Sequence, residues 1–163
     1  MSILMSVDPG ATGTGIALWR VGFGVVDPGI FYCKNLFGGD GDWWERADQL
    51  VPQLSTLLHK YGVVEMVIEY PQFMESLKGQ ASSRQGDTLK LAFLVGRYVQ
   101  AARELGIRNI RRVQPDEWKG QLPKDVVERR IIAKIPEIVE VLNPKTHSWD
   151  AIGIGLWYTE GKL

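Results

Sequence analysis

The chain has 163 residues, 45% hydrophobic and 23% charged, a size and balance suited to one globular domain with a sizeable core. Its apolar runs are too short for a membrane span, and its lone cysteine, Cys33, excludes an intrachain disulfide. Nineteen basic and nineteen acidic residues cancel, which excludes a uniformly basic nucleic-acid binder but not one with segregated charge.

In chain order, "ILMSVD" (3–8) and "TGIALW" (14–19) read as strands joined by the turn "PGATG". A third strand over about 29–37 follows the Asp27-Pro28-Gly29 turn. "GGDGD" then breaks the chain, and Asp42 is placed to cap a helix over about 43–60 with Leu50, Leu54, Leu57 and Leu58 on one face. "VVEMVIE" (63–69) has the apolar run of a buried central strand. Residues 70–87 read as a polar, mobile connection, followed by a helix over about 87–105 and a short strand over 107–114. "PDEWKGQLPKD" holds two proline-marked helix starts; helices are expected over about 125–135 and from near His147 onward.

A three-strand meander continued by crossovers predicts a mixed five-stranded sheet, antiparallel then parallel, flanked by helices. That is the arrangement of the ribonuclease H-like fold, here as a single α/β domain spanning 1–163.

Three carboxylates fall at chemically suggestive places. Asp8 ends the first strand, Glu69 ends the fourth, and Asp150 lies early in the terminal helix, three residues after His147 and on the same face. If strands one and four are neighbours, Asp8 and Glu69 emerge side by side and the last helix brings Asp150 to them. Clustered carboxylates repel unless a cation sits among them, and a pair of divalent ions is the usual solution for phosphodiester hydrolysis. Oxygen ligands suit Mg²⁺, and a histidine shifts the balance toward Mn²⁺. Plain alternatives are a turn-forming aspartate, a solvated strand end and a first-turn acid favoured by the helix dipole. The flanking glycines of "DPGATGTG" are expected to leave room for a scissile phosphate.

Charge is segregated. Residues 1–75 hold nine acids and four bases, residues 76–163 ten and fifteen, and 78–134 six and thirteen, a local net of +7. An acidic pocket beside a basic face is one reading, and solvated helix faces are the other.

"DPGATGTGIALW", "VIEYPQFM", "RRVQPDEWKGQLPKDVVERR" and "HSWDAIGIGLWY" resemble, in order, the motifs of RuvC-type Holliday-junction resolvases, and the "WKGQLPK" block is most similar to the bacteriophage branch. The resemblance covers nearly the whole chain. It implies a homodimeric endonuclease that nicks four-way DNA junctions symmetrically, with two Mg²⁺ per active site (Mn²⁺ substituting), leaving 5′-phosphate and 3′-hydroxyl ends. Carried over residue by residue, the catalytic and metal-binding set is Asp8, Glu69, His147 and Asp150, with His147 orienting water or assisting one metal.

The family's DNA-contacting lysines match Lys119 and Lys124, and Arg111, Arg112, Arg129 and Arg130 extend the basic stretch toward phosphates. A junction-entering aromatic matches Phe73, which stands four residues past Glu69 where the cellular family more often has three; Tyr70 competes with it. Trp118 reads as a core anchor. The helix over 87–105 is the expected dimer interface. The expected compartment is the cytoplasm (the host's, if the chain is phage-encoded), with no membrane and no small-molecule cofactor. Rival readings are a nuclease acting on RNA or RNA–DNA hybrids, a DNA-binding module without catalysis, and a fragment of an actin-like ATPase; the last needs a second hairpin domain that this chain does not contain.

Overall fold

The computed structural model describes the chain apart from residues 11, 23–28 and 72–80 and the side chains of 81–85. Five strands form one sheet: β1 (Ser2–Asp8), β2 (Gly13–Val21), β3 (Ile30–Phe37), β4 (Glu65–Glu69) and β5 (Asn109–Val113). Their order is β3-β2-β1-β4-β5. The β1–β2 and β2–β3 pairs are antiparallel, and β1–β4 and β4–β5 are parallel. The expected mixed sheet is therefore observed, with β1 at its centre.

The described residues also form six helices: α1 (Trp43–Lys60), α2 (Ala81–Glu104), α3 (Pro115–Trp118), α4 (Lys124–Lys134), α5 (Ile138–Leu142) and α6 (Thr146–Glu160). α1 begins where the sequence predicts, because its cap is reciprocal. The Glu45 N–H donates to Asp42 at 2.9 Å, and the Asp42 N–H donates to Glu45 Oε2 at 2.8 Å, an arrangement worth about 1 kcal/mol. α2 starts at Ala81, six residues before the expected 87. The helix runs through Gly86, and a helical glycine costs only about 1 kcal/mol. Burial of Leu94, Val95, Tyr98, Val99 and Ala102 further along outweighs that cost. α5 carries no sequence signal beyond Ile138, which it buries. Among the described residues no helix is long and apolar enough to cross a membrane.

The two-residue period of the strands sorts side chains between two layers. Met5, Val7, Ile16, Leu18, Met66 and Ile68 face α1 and α2. Leu4, Ala17, Trp19, Val67 and Val113 face the side covered by α3, α4, α5 and α6. Ser6, Asp8 and Glu69 share the parity of the second set. The sheet therefore presents its acids to α6 and not to α1 or α2.

Candidate active site

β1 and β4 run parallel with Val7 beside Ile68. The next residue on each strand is a carboxylate, Asp8 and Glu69, and both chains leave the sheet there. α6 lies across this end because the strand beneath it has no side chain in the way. Gly15 on β2 pairs with Asp8, and a Cβ at Gly15 would overlap the main-chain carbonyl of His147. A Cβ at Gly10 would strike the carbonyl of Gly13 and come within 3.0 Å of the His147 ring. Gly10 and Gly15 thus make room for the start of α6 and its histidine. Ser148 secures the same helix end by donating to Asn35 Oδ1 on β3 at 2.6 Å.

Each acid has its own partner in the protein. His147 Nδ1 lies 3.0 Å from Asp8 Oδ2. The Trp118 indole N–H donates to Glu69 Oε2 at 2.6 Å. Lys119 Nζ is 4.0 Å from Asp150 Oδ1 and stands 4.7 Å above the Trp118 ring. His147 and Asp150 share a helix face as predicted, but they serve different partners.

The electrostatics are those of a crowded acidic pocket. Asp8 is 6% exposed. Burial pushes its carboxyl above the usual range and the Asp150 charge adds to this, while the hydrogen bond from His147 opposes both. Glu69 is raised to about 7, first by burial and then by the charge of Asp8, against the pull of Lys119 and Trp118. The hydrogen bond to Asp8 lifts His147 in spite of its partial burial. Three acids from three elements exceed the single lysine among them, and hard oxygen donors with surplus negative charge suit Mg²⁺ or Mn²⁺. Among the described residues, however, no three His, Cys, Asp or Glu side chains are grouped closely enough to hold an ion as they stand. The donor chemistry fits a divalent cation, and the side chains are instead tied to His147, Trp118 and Lys119.

The remaining sequence candidates spread out. Lys119 sits inside the acidic cluster. Lys124 opens α4, its Nζ donating to the Thr146 carbonyl at 3.3 Å, next to the same site. α4 then runs beside α6 until Lys134 pairs with Glu160 at the far end. Arg129 and Arg130 lie along that course, away from the acids. Arg129 pairs with Asp125 at 3.0 Å, and Arg130 reaches the Leu163 carbonyl at 3.4 Å. Arg111 on β5 pairs with Glu117 at 2.8 Å, and Arg112 is exposed. On the opposite side of the sheet, Arg97 pairs with Asp48 at 2.5 Å. The +7 stretch is therefore not one basic face, because its helices cover both sides of the sheet and Arg97, Arg111 and Arg129 meet local acids. Tyr70 is half-buried against the α1–α2 layer, across the sheet from Glu69's face, with its N–H bonded to the Val113 carbonyl at 2.9 Å. Phe73 and the Asp27-Pro28 turn lie outside the described residues.

Trp118 is the core anchor that the sequence suggests, 3% exposed, and its bond to Glu69 is an addition the sequence reading missed. A tryptophan alone in the polar run "QPDEWKGQ" offers the signal, since a buried indole N–H needs an acceptor.

The chain is similar in structure to Thermus thermophilus RuvC in complex with a Holliday junction substrate, with a TM-score of 0.71 at 17% identity over 96% of this chain and 91% of that one. The fowlpox virus resolvase in complex with Holliday junction DNA gives 0.60 at 14%, covering 97% and 99%. The yeast mitochondrial Holliday junction resolvase Ydc2 gives 0.58 at 11%, covering 98% and 77%. The fold is that of the RuvC-type resolvases. No protein-family model and no curated relative matches the chain. At these identities the shared property is the fold, a ribonuclease H-like mixed sheet flanked by helices.

Proposed function

We propose that the chain is a metal-dependent endonuclease that resolves four-way DNA junctions. The observation that carries this reading is the convergence of Asp8, Glu69 and Asp150, with His147, at one end of the sheet. The likeness in fold to resolvases bound to junction DNA supports the substrate.

Asp8, Glu69 and Asp150 are the residues that would hold Mg²⁺, two ions per site, or Mn²⁺ in their place. When bound, such ions would lower the pKa of water and offset charge on the leaving oxygen of a phosphodiester; attack of water at phosphorus with departure of the 3′ oxygen, which takes up a proton, leaves a 5′-phosphate and a 3′-hydroxyl. His147, held by Asp8, orients the attacking water. Lys119 exchanges Asp150 for a phosphate oxygen when DNA enters, and Lys124 at the same end takes a neighbouring phosphate. Paired nicks across a two-fold symmetric junction call for two sites, so the working form is a homodimer, with α2 as the surface that brings the copies together.

The test is cleavage of end-labelled four-way junction, linear duplex and RNA–DNA hybrid, each with Mg²⁺, Mn²⁺ or EDTA. Paired, metal-dependent nicks in the junction alone are expected. Cutting of the hybrid with the junction spared would overturn the substrate and keep the site.

A further inference from the structure

Trp118 is gripped from three sides. It is the last residue of α3, whose start is held by the Gln114 N–H donating to Glu117 Oε1 at 2.9 Å. The same Glu117 pairs with Arg111 at 2.8 Å, which fastens α3 to β5. Above the ring lies Gly153 of α6, where a Cβ would run into the indole's six-membered ring. An indole held in this way has one direction for its N–H, and that direction ends 2.6 Å away on Glu69 Oε2. Indole nitrogen only donates, whereas a carboxylate accepts several bonds, so the contact fixes the carboxylate without using up its capacity.

The geometry points to Trp118 as a positioning residue for Glu69: its N–H sets the orientation of a carboxylate that would hold a divalent cation. This assignment rests on the metal-site reading above. The competing role is purely structural, a buried indole satisfying its own N–H on the nearest acceptor. Partners that orient metal-binding carboxylates typically change metal affinity 10–100-fold when removed.

The experiment is Mn²⁺ binding by calorimetry to the full chain, its W118F variant and W157F, with melting temperatures in EDTA alongside. Phenylalanine keeps an aromatic ring and removes the donor. W157F makes the same exchange at a partly buried tryptophan of the same layer. The expected result is Mn²⁺ affinity about 10–100-fold weaker in W118F and unchanged in W157F. Equal affinity in wild type and W118F would overturn the positioning role and leave the metal site standing. A wild-type protein that binds no Mn²⁺ would overturn both.

A second measurement needs no variant at position 118. Of the six indole N–H resonances, that of Trp118 is expected to move most when Mg²⁺ is added to the wild-type protein, and E69Q is expected to abolish the shift. A Trp118 resonance that stays in place at Mg²⁺ saturation would sink the proposal even if W118F failed to fold.

Discussion

The two faces of the sheet are built from the same five strands and solve different problems. Toward α1 and α2 the strands present Met5, Val7, Ile16, Leu18, Met66 and Ile68, all buried. Polar groups there close on each other: the Thr14 and Tyr98 hydroxyls share a buried hydrogen bond of 2.7 Å. Burial raises the Tyr98 hydroxyl beyond the normal phenol range, and the bond to Thr14 offsets only part of that rise. Toward α6 the same strands present Ser6, Asp8 and Glu69 together with Gly13 and Gly15. The partners of Asp8 and Glu69 are a histidine and an indole, and Asp150 of α6 beside them pairs with a lysine. The difference teaches that a strand alternates solvent environments as well as side chains. One face is self-contained, while the other keeps charges whose partners can be exchanged.

The sharpest way to break this comparison is to remove charge from one face and a hydroxyl from the other. Asp8→Asn is expected to lower junction cleavage by roughly 10³-fold while leaving junction binding within a few-fold; cleavage and gel-shift assays on the same preparation check it. Tyr98→Phe belongs to the other face. It leaves the buried Thr14 hydroxyl without its partner, at a cost of about 1–3 kcal/mol, and cleavage below the melting temperature should be unaltered.

Between these in size stands the glycine that seats α6. Gly15→Ala forces β2 and the His147 carbonyl apart, and a loss of about 3 kcal/mol is expected, at the upper end for overpacking. Gly96 on α2 has nothing within 4 Å of its missing Cβ. Gly96→Ala should therefore raise stability by about 0.5–1 kcal/mol. Thermal melts of the two variants give opposite signs if α6 is seated as described.

The smallest effect is one of pH. In protein stripped of metal, Glu69 is protonated up to about 7 in the folded state, against about 4.3 in an unfolded chain. A pKa raised by folding stabilises below the unfolded value, and that contribution is lost as pH rises through the folded one. Glu69→Gln should thus match wild type near pH 4 and melt progressively higher than wild type as pH climbs to about 7, with a constant gap beyond. Melting curves in EDTA across that range measure it, and a gap that narrows with pH would reverse the sign.

Much of this was legible in the sequence because it is local. The alternation in "ILMSVD" and "TGIALW", the Asp42 cap and the apolar "VVEMVIE" marked three strands and the start of α1, and the element order pointed to a mixed five-stranded sheet. Asp8 and Glu69 could be paired because both end apolar runs. What escaped depends on partners distant in the chain: Trp118 and Glu69 are 49 residues apart, and His147 and Asp8 are 139 apart. Of the two readings of the basic stretch, the single basic face fails for a related reason. Charge counted along the chain does not show that Arg97 sits across the sheet from Arg129, or that Asp48 and Asp125 wait beside them. That Gly10 and Gly15 seat the start of α6 was not legible either, since a missing Cβ does not say what fills its place.

The same seating on glycine reaches beyond the active site. Gly155 of α6 rests on Trp19 of β2 so closely that a Cβ would penetrate the indole, and the Trp19 N–H donates to Ser6 at 2.8 Å. Such a pair is free to drift only in step. A lineage that enlarges the residue at 155 must first, or at once, shrink the one at 19, and in doing so abandon Ser6. The route between two viable sequences here is a narrow one, through paired replacements rather than single steps.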